Sequence, residues 1–327
     1  MPEGPEVRLN RDTIAHHIEG HTIKELRVSS KKFEYIDDVQ QGKLGLPAQV
    51  TEVRVKGKML LIMLSSGAGI TSTLGMSGWW YPHITQLNIA DFGDKAYYNG
   101  NVLDVSSVIS KSMKHIKAEL VTDAGFRMVY TDPRNFGNLK LWSAEDLAQD
   151  HPFNKLGPDL LNEIGPMLGK DPDATAEFMQ QVRARATKRQ NKMPMGQLCL
   201  EQVFLCGLGN IYRAETLYLA GISPHEQLQQ LSDDQWLKFV EVAVGVLNIA
   251  YQHKGTMHYP LDMLWLLHPE IAGAVSEHFK IADHTKNYVL RRHLVYGQKQ
   301  DPAGNAVVAD DSFGRTMWWC PAVQDSA

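Results

Sequence analysis

Gly207-Leu208-Gly209-Asn210-Ile211-Tyr212-Arg213-Ala214-Glu215, followed by Ala220-Gly221-Ile222-Ser223-Pro224, is the stretch on which the reading of this chain turns. Gly207 and Gly209 permit a tight turn and let the backbone come close to whatever lies outside it. Helical periodicity on either side predicts helices over 197–204 and 211–220, with others over 178–185 and 236–251. Asn210 is placed to cap the second helix of the pair, whose first N–H groups would face a phosphate. The generic alternative is an ordinary helical hairpin with a glycine turn. Upstream, Arg183, Arg185, Lys188, Arg189 and Lys192 form a basic run, either a solvated helix face or a patch turned toward an anion.

Moving toward the N-terminus, 143–150 is polar and acidic and 151–161 contains Pro152, Gly157 and Pro158, together the best domain boundary in the chain. Before it, from 22 to 142, runs are short and alternating or apolar, with strands expected at 50–55, 59–64, 118–121 and 126–131. That pattern predicts a two-layer β-sandwich. Gly57-Lys58 stands at a strand entrance. Leu74-Gly75-Met76-Ser77-Gly78 and Asp132-Pro133-Arg134-Asn135-Phe136-Gly137 read as turns. A helix over 6–17 carries an apolar stripe of Val7, Ile14 and Ile18.

The chain opens Met1-Pro2-Glu3-Gly4-Pro5-Glu6. With Met1 removed, Pro2 is a free secondary amine with a pKa near about 8, well below a lysine. Such an amine attacks an aldehyde-level carbon to give a cationic iminium, an electron sink. Glu3 sits beside it as a proton donor or acceptor, and Glu6 carries charge into a helix N-terminus.

With 327 residues and 43% hydrophobic content, two domains are the natural expectation. No apolar run is long enough to cross a bilayer, and the first twenty residues lack a signal-peptide pattern. Three scattered cysteines argue for a reducing, intracellular setting. The net charge of −4 argues mildly against a nucleic-acid protein, although the acidic residues fall in loop-like stretches. The histidines lack carboxylate or thiolate partners at metal-ligand spacing.

These stretches together resemble the formamidopyrimidine-DNA glycosylase and endonuclease VIII family over nearly the whole chain. The resemblance implies an α+β protein: an N-terminal catalytic β-sandwich domain with a flanking helix over 2–145, a helix–two-turns–helix domain over 146–290, and a terminal finger hairpin over 291–327. It implies a glycosylase and abasic-site lyase that acts on double-stranded DNA containing oxidised bases or abasic sites. Pro2 is then the nucleophile, with Glu3 and Glu6 beside it. Lys58 and Asn210 hold phosphates, which positions the duplex without reading sequence. Met76 and Phe136 fill the hole left by an extruded base, whose unstacking costs a few kcal/mol, and Arg134 bonds the widowed partner. Asn135 stands where the family often has arginine. Glu215 is expected to face the N-terminal amine at a cleft where the domains meet DNA, and Arg315 to reach the minor groove.

The family's finger carries two Cys-x-x-Cys pairs, which fall here on Ala303, Ala306, Cys320 and Val323. One sulfur does not hold a tetrahedral zinc, so a zincless finger packed by Met317, Trp318 and Trp319 is expected, with no metal and no organic cofactor. A monomer located with the DNA is expected too. A non-catalytic DNA-damage binder on the same fold is the alternative, which the presence of Pro2 and Glu3 opposes. A base-capping loop between His268 and Lys286 is not recognisable in the sequence.

Overall fold

The computed structural model describes residues 2–83, 96–98, 101–103, 113–255, 258–278 and 289–325, with backbone alone for 96–98 and 101–103. The chain divides into two compact units, Met1–Lys155 and Leu156–Ala327.

The first unit begins with the helix Gly4–Ile18. Pro5 lies in its first turn, where a missing N–H is harmless. The Glu6 carboxylate reaches back to accept the Glu3 N–H at 2.8 Å, so the chain enters the helix at a defined angle. Val7, Ile14 and Ile18 are fully buried, as their helical spacing predicts.

Among the described residues ten strands follow: β1 Thr22–Val28, β2 Ala48–Lys56, β3 Met59–Leu64, β4 Gly69–Thr73, β5 Trp79–Pro82, β6 Ala96–Tyr98, β7 Asn101–Leu103, β8 Ile116–Thr122, β9 Arg127–Thr131 and β10 Asn138–Trp142. Strands β6 and β7 pair with each other, and the remaining eight form one ladder in the order β10-β4-β3-β2-β1-β8-β9-β5. The ladder is thin where β1 meets β2, with only Thr22↔Gln49 and Ile23↔Ala48 in register. Strand β2 also slips register between Val50 and Glu52. A bulge of this kind bends a sheet, and two four-stranded halves result. Trp80 of β5 donates its indole N–H to Ser72 Oγ of β4 at 3.1 Å, from one end of the ladder to the other half. The halves therefore face each other across one core that holds Leu26, Ile62, Ile70, Trp80, Leu120 and Tyr130. This is the expected two-layer arrangement, built from a single continuous ladder.

Two details of this unit position the functional residues. Gly57-Lys58 is the two-residue turn between β2 and β3, with Lys56 opposite Met59 and Gly57 at φ 55°, a conformation that glycine supplies without strain. Asn10, fully buried, docks the N-terminal helix on β5: its Nδ2 donates to Trp80 O at 2.8 Å and its Oδ1 accepts the Trp80 N–H at 3.1 Å. The helix Ala144–Gln149 is capped by Ser143 and tied back by Lys43 to Asp146 at 3.2 Å. The segment 144–155 belongs to the first unit.

The second unit is helical, with Pro172–Ala184, Asn210–Ala220, Asp233–Gln252, Leu261–Leu267 and Pro269–His278 as its main helices. The helix expected over 197–204 is reduced to Met195–Leu198. The backbone beyond it pairs sideways instead, since Gly157 N–H donates to Gln202 O at 2.9 Å and Cys206 N–H to Pro158 O at 3.0 Å. The terminal hairpin pairs β13 Val308–Asp310 with β14 Met317–Trp319, after the short pair β11 Tyr259–Pro260 and β12 Val289–Leu290. Phe313, Met317, Trp319 and Cys320 join the helical core, so the hairpin folds with that unit. Among the described residues no helix is long and apolar enough to cross a membrane.

Replacing Asn10 by Ala strands the Trp80 N–H and C=O in the interior. The unfolding free energy is expected to fall by about 2–3 kcal/mol, measured by urea denaturation. A loss below about 0.5 kcal/mol would show that the helix is docked by apolar packing alone.

Candidate functional site

The first turn of the N-terminal helix brings Pro2, Glu3 and Glu6 together. Pro2 is half-buried, Glu3 is buried, and Glu6 accepts the Glu3 N–H. A group held at the start of a helix docked by Asn10 sits on a rigid element. Lys58 lies in the β2–β3 turn, half-buried.

The two glycine-containing loops of this unit are stitched into one tip. Asp132, fully buried, accepts Ser77 Oγ at 2.6 Å and the Gly137 N–H at 2.8 Å. Ser77 Oγ accepts the Arg134 N–H at 3.0 Å. Gly75 has φ +60°, and a Cβ built on it would lie 2.4 Å from the Phe136 carbonyl carbon. Only glycine fits at that approach. Asn135 also takes a left-handed conformation, φ 57°. The outcome is an exposed tip on which Phe136 is 62% exposed and Met76 39%. Arg134 Nη1 lies 4.0 Å from the Met76 sulfur. Met76 is therefore not part of the core.

In the second unit, Asn210 is the first residue of the helix Asn210–Ala220, and the N-cap is Gly209. The expectation that the Asn210 side chain caps this helix is corrected, because that side chain is engaged elsewhere. Its Oδ1 accepts Arg213 Nη2 at 2.7 Å and its Nδ2 donates to Thr316 O at 3.1 Å. Guanidinium only donates, so Arg213 dictates which end of the amide points where. Arg213 is fully buried and also donates to Arg315 O at 2.8 Å and to Gly196 O. One guanidinium thus clasps the helix start and the hairpin loop. Arg315 itself is exposed, beside Gly314 at φ +73°.

Glu215 is held within its own unit. It is fully buried, and its carboxylate accepts the Tyr259 hydroxyl at 2.7 Å and the N–H groups of Leu294, Val295 and Tyr296 at 2.8, 3.0 and 2.9 Å. Both oxygens are thus engaged by groups of its own unit. Burial, and the carboxylate beside it, push the Tyr259 hydroxyl well above the usual phenol range, so it stays a donor.

The finger turns on Asp301. This buried carboxylate accepts Asn305 N–H at 2.8 Å, Asn305 Nδ2 at 3.0 Å and the Tyr218 hydroxyl at 3.1 Å, with Cys320 Sγ at 3.6 Å. Burial first, then the Asp301 charge, push the Cys320 thiol up to about 11, so it is a neutral thiol near pH 7. Ala303 and Ala306 lie on the loop that Asp301 closes, where Asp301 N–H donates to Asn305 O at 3.0 Å. The residues at the four family positions offer one protonated sulfur and do not fit a zinc ion. Among the described residues no group of three or more His, Cys, Asp or Glu is placed to hold a metal.

Asp132, Arg213 and Asp301 were not singled out from sequence. Asp132 lies inside a quoted motif and Arg213 beside Asn210, so proximity was the available signal; Asp301 had none. Of the basic run, Arg183 is structural, donating to Ser232 O at 3.2 Å and pairing with Asp233 at 2.9 Å. Arg189 pairs with Glu201 at 2.6 Å, while Arg185, Lys188 and Lys192 are exposed. The capping loop expected between His268 and Lys286 begins with the helix Pro269–His278, and residues 279–288 lie outside the described residues.

Comparison with known proteins follows the same division. Residues 1–139 match the formamidopyrimidine-DNA glycosylase N-terminal domain, and residues 168–259 match the H2TH domain of the same enzymes. The formamidopyrimidine-DNA glycosylase of Neisseria meningitidis is 28% identical over 99% of this chain and 100% of its own length. That of Geotalea daltonii is 26% identical over 99% of this chain and 100% of its own. The fold is that of the Lactococcus lactis enzyme crystallised with DNA containing an abasic site, at a TM-score of 0.67, 19% identity, and coverage of 99% and 100% of the two chains.

The clasp at Asn210 is testable without any ligand. Arg213→Ala leaves Gly196 O, Asn210 Oδ1 and Arg315 O without their donor. It is expected to lower the unfolding free energy by about 3 kcal/mol, while Arg185→Ala, at an exposed site, stays within about 0.5 kcal/mol. Equal losses in urea titrations would contradict the clasp.

Proposed function

The chain belongs to the formamidopyrimidine-DNA glycosylase family, and we propose that it excises oxidised bases from duplex DNA and then cleaves the abasic strand, a step of base excision repair. The observation that carries this reading is the end-to-end match to glycosylases of that name, over 99% of the chain and the full length of the relatives. The braced apolar tip and the helix-borne N-terminus support it.

In this mechanism Pro2, freed of Met1, attacks the sugar C1′ as the base departs with its bonding electrons. Ring opening gives the iminium, with Glu3 handling protons on the sugar and Glu6 holding the Glu3 backbone. Loss of the C2′ proton expels the 3′ phosphate, and a second elimination releases the 5′ phosphate. Met76 and Phe136 occupy the vacated stack, and Arg134 bonds the widowed base. Lys58 and Asn210 contact phosphates, and Arg315 enters the minor groove, where a planar guanidinium fits better than an ammonium. Glu215 has no place at the DNA in this scheme. Specificity is broad among oxidised bases, and the protein acts as a monomer.

Borohydride reduces an iminium, so it is expected to trap the protein covalently on abasic DNA, with Pro2→Gly abolishing the adduct. Undiminished trapping by that variant would place the nucleophile elsewhere. On duplexes carrying 8-oxoguanine, formamidopyrimidine or thymine glycol, turnover of none of the three would remove the glycosylase assignment.

The finger holds together without zinc. Asp301 takes the place of a metal: one buried centre joins the 301–305 loop, Cys320 and Tyr218 of the helix. Asp301→Ala is expected to lower stability by about 3 kcal/mol. Chelators are expected to leave both melting temperature and activity unchanged. Arg315→Ala is expected to remove most glycosylase activity from a protein that still folds. Stoichiometric zinc in the purified protein would overturn the metal-free finger, and a fully active Arg315→Ala protein would overturn the role of that arginine.

A further inference from the structure

Lys32 belongs to no motif and follows β1 in a single turn of 3-10 helix, Lys31–Phe33. That turn is anchored by Phe33, fully buried, and by Tyr35, whose hydroxyl bonds Leu139 O and, at 3.0 Å, Asn138 Oδ1. The segment therefore lies along β10, the edge strand that begins where the Phe136 loop ends. From this footing the Lys32 ammonium donates to two carbonyls, Asn135 O and Gly137 O. They are the carbonyls on either side of Phe136.

This loop has two sides to secure. On the inner side, Asp132 accepts the Gly137 N–H, and the backbone of 136–137 is pressed against Gly75. On the outer side, the left-handed Asn135 turns its carbonyl so that it and Gly137 O converge on one point. A left-handed conformation at a non-glycine residue costs of order 1 kcal/mol and persists only where the surroundings over-determine it. Two charge-assisted bonds to one ammonium supply that determination. Phe136 is then held exposed between two fixed peptide planes instead of folding back onto the sheet.

We propose that Lys32 is a positioning residue for base extrusion: it presents Phe136 to the duplex by clamping both flanking carbonyls. The inference rests on the reading of Phe136 as the side chain that enters the stack. Its distinctive consequence is substrate-dependent. An intact base must be driven out and its place filled, whereas a preformed abasic site has no base to extrude, so the clamp matters for the first and little for the second.

The experiment compares Lys32→Met, Lys32→Arg, Phe136→Ala and the Lys32→Met/Phe136→Ala pair in single-turnover assays. Two duplexes are used, one carrying a formamidopyrimidine lesion and one a preformed abasic site. Lys32→Met is expected to slow excision of the lesion at least about tenfold, a change of about 1.4 kcal/mol in barrier. Strand cleavage at the abasic site is expected to change less than about threefold. Lys32→Arg, which keeps charged donors, restores most of the rate. In the Phe136→Ala background the Lys32→Met change adds nothing, since its target is already gone. Equal loss on both substrates with a flattened salt dependence would identify Lys32 as a phosphate contact and overturn the proposal. Additive losses in the double variant would overturn it as well. If Lys32→Met folds poorly, Lys32→Gln replaces it under the same criteria. A Phe136→Ala protein with unimpaired excision sinks the stack-filling reading itself, whereas an impaired Phe136→Ala beside an unimpaired Lys32→Met sinks only the clamp.

Discussion

A carboxylate cannot stay charged in a protein interior unless its oxygens are bonded, and this protein uses that constraint at each place where a functional loop must be held. Desolvating a carboxylate costs several kcal/mol, and only a full set of donors offsets it. Glu215 is the central case. Its four donors come from Tyr259 and from three successive backbone N–H groups at 294–296. The helix that begins at Asn210 is thereby fixed to the chain just before it enters the finger. Any other course for 294–296 would leave the charge bare. Asp132 does the same for the apolar tip and Asp301 for the finger, each buried and each joining segments distant in sequence.

Held this way, the loops acquire rigidity without losing exposure. Phe136, Met76 and Arg315 stand in solvent, but the backbone beneath each is bonded from the inside. In the proposed role of Phe136 and Met76 this rigidity matters, because entry into a base stack must offset several kcal/mol of lost stacking. The N-terminus follows the same logic by different means. A chain end would ordinarily fray. Here the end is one residue from a helix whose Asn10 is locked to the backbone of β5.

The terminal hairpin is organised around a buried carboxylate. A metal site organises a loop by drawing several ligands to one point. Asp301 draws Asn305, Tyr218 and Cys320 to one point with hydrogen bonds. The surviving Cys320 is a protonated thiol in this arrangement, since burial and the nearby charge raise its pKa. It serves as a weak donor to Asp301.

Much of this molecule was legible in its sequence because much of it is local. Periodicity located the helix ending at Ile18, the strands around Met59–Leu64 and Arg127–Thr131, and the long helix Asp233–Gln252, since burial on one face imposes period two or 3.6 on residues close in the chain. The glycine turns were legible for the same reason: a positive φ is a demand on one residue. The candidate site was readable as motif residues, but not as a working arrangement. Nothing near Asn210 announces that its amide answers to Arg213 and Thr316, and nothing near Glu215 announces 294–296. Lys32 reads as a solvated lysine until the fold lays it beside Asn135 and Gly137, about a hundred residues away. Residue type and spacing determined which elements form and which chemistry the chain carries. Only the tertiary structure decided which donor meets which buried acceptor, because that choice depends on distances between segments that the chain's order does not encode.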